Sequence, residues 1–202
     1  YLHTASDGTS MATVSLNKYG SSYLTERYLD FKIAEDDIKG YKIPKSAVLS
    51  KDFLVVPEQY VINSEEKGVG VYKEVIQSDG SAKAVFTKVS IYAKQGKSYY
   101  ISASGLTTED YLIGASVEKS EDGTSETITT DPTNRRLIAV SAPLTGVYSV
   151  NRGYCIFRQI DILSETSDHN YYIINTGTYY GLSAYDRIIL NAGLVTENQI
   201  IY

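Results

Sequence analysis

The stretch GVYSVNRGYCIFRQIDIL, residues 146–163, carries the clearest structural signal in the chain. Apolar residues recur there and downstream at the short spacing of strands, and turn residues separate the groups. The groups are Phe157, Ile160 and Ile162, then Tyr172 and Ile174, then Ile188 and Leu190. Because alternate residues of a strand face the same side of a sheet, the pattern predicts a small antiparallel β unit over residues 146–202.

Residues 70–113 repeat this pattern in a weaker form. The matched residues are Gly70-Val71-Tyr72 with Gly146-Val147-Tyr148, and Phe86, Val89 and Ile91 with Phe157, Ile160 and Ile162. Residues 99–101 match residues 171–173, one residue further along, and residues 105–113 match residues 181–189. Two copies are too few for a solenoid, so the repeat predicts tandem β modules.

A polar segment, residues 118–136, separates the two copies, and Ile128 is its only aliphatic residue. Such a segment buries too little apolar surface to offset an ordering cost of roughly 1–2 kcal/mol per residue. We therefore expect a linker or a long exposed hairpin there. With 19 tyrosines, no tryptophan and many Val, Ile and Thr residues, the composition favours β structure, and together with the repeat it predicts an all-β fold.

Each copy contains a turn that starts at a Gly-Leu pair. Gly105 and Gly181 are expected to adopt positive φ, which glycine tolerates without steric cost. Asp110 and Asp186 each follow the leucine by four residues, and we expect their side chains to close the turn. These four residues are interpreted as structural turn residues rather than catalytic groups.

Composition argues against several functional classes. A net charge of -5, without a cluster of Lys and Arg, argues against a nucleic-acid surface. The single cysteine, Cys155, excludes an internal disulfide and a multi-cysteine metal site. The sequence signatures of nucleophile-elbow hydrolases, HExxH metalloproteases and P-loop enzymes are absent. We therefore predict a protein that is not an enzyme and that uses no cofactor or metal.

The last third of the chain also resembles a known family. The stretch at residues 146–163, a Tyr-Tyr-Ile strand and GLSAYDRIILNAGLVTENQIIY resemble the membrane-proximal domain of HlyD-like periplasmic adaptor proteins, also called membrane fusion proteins. YKIPKSAV, residues 41–48, looks like the strand with which such proteins leave their β-barrel domain. The family usually has Gly before the turn Asp, where this chain has Glu109 and Tyr185. The duplicated module looks like the version found in Gram-positive bacteria.

This resemblance implies a fold, a domain order and a function. The fold would be all-β, with tandemly repeated small antiparallel β-barrel or β-roll modules of membrane-proximal-domain type. Residues 1–117 would hold the end of the β-barrel domain and the first module, residues 118–136 the linker or hairpin, and residues 137–202 a second module of membrane-proximal type. The protein would be a non-catalytic, extracytoplasmic adaptor of an export or efflux system, anchored in the plasma membrane by a segment upstream of Tyr1. It would contact a membrane transporter and other envelope proteins, and it would self-associate.

Aromatic and arginine residues are common anchors of protein interfaces. The candidates in this chain are Arg158, Tyr179, Tyr180 and Arg187, although the two tyrosines also suit a role as strand neighbours or in turn packing. An alternative function is an extracellular carbohydrate-binding or adhesive β module, because tyrosine rings provide stacking platforms for sugars.

Overall fold

The computed structural model describes residues 2–13, 15, 25, 28, 38–120 and 125–201, and it has the all-β fold that the sequence predicts. The chain divides into two compact units, residues 1–37 and residues 38–202. In the first unit, β1 (Leu2–Thr4) pairs antiparallel with β2 (Ser10–Ala12). Asp7 closes the turn between them, because its carboxylate accepts a 2.9 Å hydrogen bond from the Thr9 N–H.

The second unit contains the strands that build the repeated modules. They are β3 (Tyr41–Pro44), β4 (Val48–Pro57), β5 (Val61–Ser64), β6 (Gly68–Ile76), β7 (Ala82–Lys88), β8 (Ser90–Gln95), β9 (Ser98–Ser102), β10 (Tyr111–Lys119), β11 (Glu126–Leu137), β12 (Ser141–Asn151), β13 (Tyr154–Gln159), β14 (Ile162–Glu165) and β15 (Tyr171–Ile174). Short 3-10 helices span Lys45–Ala47, Glu58–Tyr60 and Ala192–Leu194. The sheet orders are β11-β10-β6-β5 with β7 on β6, then β13-β12-β4-β9-β8, then β14-β15-β3.

The polar segment at residues 118–136 contributes a long strand. β11 pairs antiparallel with β10, from Glu126 opposite Lys119 to Leu137 opposite Tyr111. Its side chains are mostly exposed, while the backbone is paired with the neighbouring strand. Ladder hydrogen bonds therefore order a segment that has little apolar surface to bury. Residues 121–124 of the predicted segment lie outside the described residues.

The two modules are nested rather than consecutive, because β4 serves both. Residues 48–54 of β4 pair with β12, and residues 54–57 pair with β9 on the other edge. We call residues 54–113 the inner module, and residues 41–53 together with residues 144–190 the outer module. The predicted boundary at residues 118–136 does not separate two domains, since the module assigned to residues 137–202 takes its first strands from residues 41–53.

The inner and outer modules share one strand register. Tyr72 of β6 pairs with Phe86 of β7, and Tyr148 of β12 pairs with Phe157 of β13. In each pair the rings lie edge to face, with centroids 5.6 Å apart in the inner module and 6.2 Å apart in the outer module. The sequence repeat at these positions is therefore a structural repeat.

The second hairpin of each module matches as well, with one correction to the sequence alignment. In β8–β9 and β14–β15 the register shifts just after the first isoleucine, so that Ile91 pairs with Ile101 and Ile162 pairs with Ile174. Ile101 thus corresponds to Ile174, not to Ile173. Two adjacent isoleucines look alike in a sequence pattern, but only Ile174 reaches the core, where its side chain is 1% exposed.

The repeat also begins earlier than the sequence comparison found. Pro44 and Pro57 each end a strand segment and precede a 3-10 helix. The N–H of the next residue donates to the loop of the second hairpin, from Lys45 to the Asn170 carbonyl at 3.1 Å and from Glu58 to the Lys97 carbonyl at 2.9 Å. A shared aliphatic-Pro pair is too short a motif to reveal this match by itself.

Each module has its own core, and the two cores correspond position by position. The inner core contains Val56, Tyr60, Val71, Val89, Ile101 and Leu106, and the outer core contains Ile43, Ala47, Val147, Ile160, Ile174 and Leu182. Full burial of one such aliphatic side chain contributes about 1.5–3 kcal/mol. A third cluster, which includes Phe53, Ala93 and Phe157, joins the two modules.

Candidate interaction surface

Tyr179 and Tyr180 lie together at a groove that both modules build. The groove has a volume of about 580 Å³ and is lined by Lys94, Gln95, Tyr99, Gln159, Asp161, Thr178, Tyr179 and Tyr180. The two tyrosine rings stand edge to face, with centroids 4.8 Å apart. Tyr179 is 90% exposed, so its ring is available to a binding partner. We call this surface the tyrosine groove.

The facing side of the tyrosine groove comes from β8 and β9 of the inner module. The Lys94 ammonium lies 2.6 Å from Oε1 of Glu58 and 5.1 Å from the centroid of the Tyr99 ring. The hydrogen bond to Glu58 raises the pKa of Lys94, so the ammonium remains charged at neutral pH. The groove therefore combines aromatic faces with a fixed cation.

The Tyr180 phenol of the tyrosine groove stays neutral at physiological pH. Burial raises the pKa of Tyr180, and the nearby Tyr99 and Tyr179 raise it further, while Lys94 acts in the opposite direction. A neutral phenol both donates and accepts a hydrogen bond. The side-chain amide of Gln159 adds polar groups to the lining, and it donates to Asp161 Oδ1 at 3.2 Å. This arrangement can recognise a partner through stacking and hydrogen bonds.

The two predicted arginines lie outside the tyrosine groove. Arg158 is in β13 opposite Val147, is partly buried, and its Nε has no hydrogen-bond partner among the described residues. Arg187 is exposed and follows the turn that closes with Asp186. The structure therefore brings Tyr179 and Tyr180 together but does not bring Arg158 or Arg187 to them. An interface role for these residues stays a prediction.

The two predicted turn glycines differ from one another. Gly105 has a φ of +84°, and a Cβ built on it would meet no atom within 4 Å. Gly181 does not have positive φ, which corrects the prediction for this residue. It is buried, and a Cβ on it would collide with Oγ1 of Thr178. Glycine is thus needed at 105 for conformation and at 181 for space.

The two turn aspartates make the same local contact. Asp110 Oδ2 accepts a 2.8 Å hydrogen bond from the Thr107 N–H, and Asp186 Oδ2 accepts one of the same length from the Ser183 N–H. Within the part of the chain that the structure describes, only Asp110 has a charged partner as well, since the Lys73 ammonium lies 2.8 Å from its Oδ1. Burial raises the pKa of Asp110, but the hydrogen bonds from Lys73 and Thr107 outweigh it and hold that pKa below its usual value.

Sequence reasoning missed Lys94 and Tyr99 as parts of this surface. Both belong to the inner module, whereas Tyr179 and Tyr180 belong to the outer module, and about 80 residues separate them in the chain. Nothing in the local pattern indicates that β8–β9 lies next to the loop after β15. The pairing of β4 with both modules is what brings them together.

Comparisons with known proteins add no family or relative to these observations. No family model, no curated protein and no solved structure matches the chain. Across residues 38–120 and 125–201, and the few described residues before them, no group of three or more His, Cys, Asp or Glu side chains is arranged to hold a metal ion. No helix in the described part of the chain has the length and apolar character needed to cross a membrane.

Proposed function

We propose that the chain is an extracytoplasmic adaptor of an export or efflux system that works through protein–protein contacts with a membrane transporter. The observation that carries this proposal is the Tyr179–Tyr180 pair, with Tyr179 exposed and Tyr180 half-buried, at a groove built by both modules. Clustered aromatic residues beside charged and amide groups are the composition of an interface hot spot. The resemblance to HlyD-like adaptors supports the same function.

The motifs behind that resemblance build the frame around the tyrosine groove. The Gly-Val-Tyr strands supply Val71 and Val147 to the two cores. The Gly-Leu pairs supply Leu106 and Leu182 to the same cores. A rigid frame keeps a binding surface preorganised, which lowers the entropy lost on association. In this proposal the adaptor contacts its transporter through groups held by two modules rather than by one mobile loop.

Site-specific crosslinking of the full-length protein in its own cells tests the adaptor function. A photoreactive phenylalanine analogue at Tyr179 is expected to form an adduct with a polytopic membrane protein, identified by mass spectrometry. The same analogue at Ile76, an apolar residue that is 62% exposed at the end of β6, serves as the matched control. A transporter adduct from Ile76 alone, or from neither position, would contradict the proposal.

The lining of the tyrosine groove also favours the carbohydrate-binding alternative. Three tyrosine rings lie beside two side-chain amides, Gln95 and Gln159, and amides hydrogen-bond readily to hydroxyl groups. A glycan array probed with the chain would separate the two functions. Binding that is lost in Tyr179→Ala, together with no transporter adduct in cells, would favour the carbohydrate-binding module over the adaptor.

A further inference from the structure

In the inner module, the chain that leaves β11 fills a groove beside the Thr107–Asp110 turn. The Ile138 side chain is 2% exposed and belongs to the inner core. Its N–H donates to the Asp110 carbonyl at 2.9 Å, and the Val140 carbonyl accepts a 2.9 Å hydrogen bond from the Val55 N–H. This extended segment is held between β4 and the turn by one apolar side chain and two backbone hydrogen bonds.

No segment among the described residues fills the corresponding groove of the outer module. This groove has a volume of about 490 Å³ and is lined by Tyr41, Lys42, Ile43, Ile188 and the Leu182–Asp186 turn. By the module equivalence, Ile43 takes the place of Val56, and Leu182 takes the place of Leu106. Among the described residues, the outer core has no counterpart of Ile138. We call this surface the open groove.

The backbone of β3 presents hydrogen-bonding groups to the open groove. β3 is the edge strand of its sheet, and Lys42 pairs with Ile173 as Val55 pairs with Tyr100 in the inner module. The Lys45 N–H donates towards the β15 side, to the Asn170 carbonyl. Because successive residues of an antiparallel strand point their N–H and C=O groups to opposite edges, the groups of Lys42, three residues earlier, face away from β15. The Lys42 N–H is therefore available to a strand in the open groove, just as the Val55 N–H donates to the Val140 carbonyl in the inner module.

Tyr185 marks the rim of the open groove with an unusual conformation. Its φ is +71°, whereas its counterpart Glu109 does not have positive φ. A bulky residue in this region of backbone space is strained, and such strain concentrates at functional sites. The Tyr185 side chain is also 102% exposed, so no packing of its own ring in the described structure offsets the strain. A contact with a bound partner would use this ring.

Charge at the rim indicates what kind of segment would bind. Arg187 takes the place of Tyr111, which pairs with Leu137 in the inner module, and Lys42 takes the place of Val55. A residue at the Leu137 position would therefore lie opposite an arginine, which favours an acidic side chain. The chain's own segment carries Arg135 and Arg136 before Ile138, so the like charge of Arg187 disfavours a second copy as the occupant.

We propose that the open groove binds an extended segment of a partner protein by strand addition to β3, with a branched aliphatic residue at the place of Ile138 and an acidic residue just before it. The identity of the partner rests on the proposed adaptor function, whereas the proposal itself specifies the chemistry of the contact between the open groove and the partner's segment. Backbone hydrogen bonds to a sheet edge and a pocket for one side chain are the recurring features of β-augmentation.

Synthetic peptides test this chemistry directly. The probe is a labelled heptapeptide with the sequence of residues 136–142, and its binding to the whole chain is followed by fluorescence anisotropy. We expect the Leu137→Glu peptide to bind about two- to five-fold more tightly, and this gain to shrink with added salt. The Ile138→Asp peptide is expected to bind at least about tenfold more weakly. Equal binding of the three peptides, or binding by none, would overturn the proposal.

Variants at Lys42 separate strand addition from adhesion to the surface. Lys42→Pro removes the outward N–H but leaves the ladder to β15, whereas Lys42→Ala is the matched control that keeps the N–H. Peptide binding is expected to fall at least about tenfold in Lys42→Pro and to stay within about threefold of wild type in Lys42→Ala. Thermal melting checks that both variants fold. Equal affinities of the two variants would rule out strand addition.

Tyr185→Gly gives a readout that a purely structural residue would not produce. Relief of the strained φ is expected to raise the Tm, while loss of the ring is expected to weaken peptide binding. A variant that is more stable and also binds the peptide as well as wild type would remove Tyr185 from the binding surface. It would overturn the argument from the strained backbone.

Crosslinking in cells identifies the occupant and keeps this proposal separable from the adaptor function. A photoreactive residue at Ala184, which lines the open groove, is expected to capture an acidic extended segment of another protein. Adducts only with residues 1–37 of the same chain, or only with a second copy, would overturn it. Peptide binding without a transporter adduct from Tyr179 would contradict the adaptor function alone. A transporter adduct from Tyr179 without peptide binding would contradict only the open-groove proposal.

Discussion

The inner and outer modules have matching cores but differently covered outer faces. In the inner module, the Tyr72–Phe86 face packs against the β10–β11 hairpin through residues such as Val117 and Ile128. In the outer module, the Tyr148–Phe157 face packs against β8 of the inner module and against the C-terminal segment. The contacting residues are Tyr92, Ala93, Ala192, Val195 and Ile201. The comparison teaches that the core pattern specifies the module, while the neighbours of each module decide how deeply its outer face is buried.

Replacing the two equivalent phenylalanines by alanine should give the largest difference in unfolding free energy between the modules. Phe157 is 2% exposed and has ring contacts to Phe53, Tyr92 and Tyr148, whereas among the described residues the Phe86 ring packs on one other ring, that of Tyr72. We expect Phe157→Ala to lower the free energy of unfolding by about 3–5 kcal/mol and Phe86→Ala by about half as much. Urea unfolding measures both. Equal losses would mean that the outer faces are equally buried.

The two strand glycines should instead respond alike. A Cβ on Gly70 would lie 2.7 Å from the Thr87 carbonyl oxygen, and one on Gly146 would lie 2.5 Å from the Arg158 carbonyl oxygen, with the facing phenylalanine ring also too close. Gly70→Ala and Gly146→Ala are each expected to cost about 1–3 kcal/mol of unfolding free energy. Denaturant unfolding of the two variants checks this, and a harmless substitution at either site would show that its strand pair can separate.

Substitution of the two turn glycines should destabilise the protein for different reasons. Gly105→Ala is expected to cost about 1–2 kcal/mol from backbone strain, and Gly105→Asn less, because Asn tolerates positive φ. Gly181→Ala is expected to be restored in part by Thr178→Ala, which removes the colliding Oγ1. Thermal melts of the single and double variants measure the coupling. A rescue of Gly105→Ala by Thr178→Ala would contradict the assignment of the two causes.

The turn aspartates should show the smallest difference, and one that depends on pH. Asp110→Asn loses the charge that attracts Lys73 and is expected to cost about 1 kcal/mol at pH 7, whereas Asp186→Asn, which lacks this partner, is expected to cost less. Because the pKa of Asp110 is depressed in the folded state, its stabilisation is present above the unfolded pKa of about 3.9 and is lost as pH falls through the folded pKa.

Urea unfolding of wild type and Asp110→Asn over a pH series measures this contribution. The difference between the two proteins should be largest near neutral pH and should shrink as pH falls below about 4. Since both proteins carry the same other carboxylates, their titration cancels in the difference. A difference that persists unchanged into acid would mean that the charge of Asp110 is not what stabilises the turn.

Much of each module could be predicted from local patterns. The all-β fold and the repeat at Gly-Val-Tyr follow from spacings that strand geometry imposes. The contact of Asp110 with its turn is equally local, because the Thr107 N–H that it binds lies only three residues away. The nested connectivity could not be predicted in this way. It depends on the two edges of β4, and either edge can accept any strand of suitable register.

The candidate surfaces were predictable only in part. Tyr179 and Tyr180 are adjacent in the chain, so their proximity follows from the sequence. Their neighbours Lys94 and Tyr99 do not, since they come from the other module. The positive φ of Tyr185 was not foreseen either, because the chain around it resembles the inner turn, where Glu109 lacks that conformation.

The sequence by itself determined part of the two cores, such as Val71 with Val147 and Leu106 with Leu182, since periodicity of apolar side chains and short-range turn chemistry are properties of a few neighbouring residues. Only the tertiary structure decided that the modules are nested and that glycine is needed at 181 for space. It also decided that Ile138 fills the groove of the inner module, while no described residue fills the matching groove of the outer module. These features arise from contacts between residues far apart in the chain. Such contacts are selected by the packing of the whole unit, because many local patterns can satisfy the same strand edge.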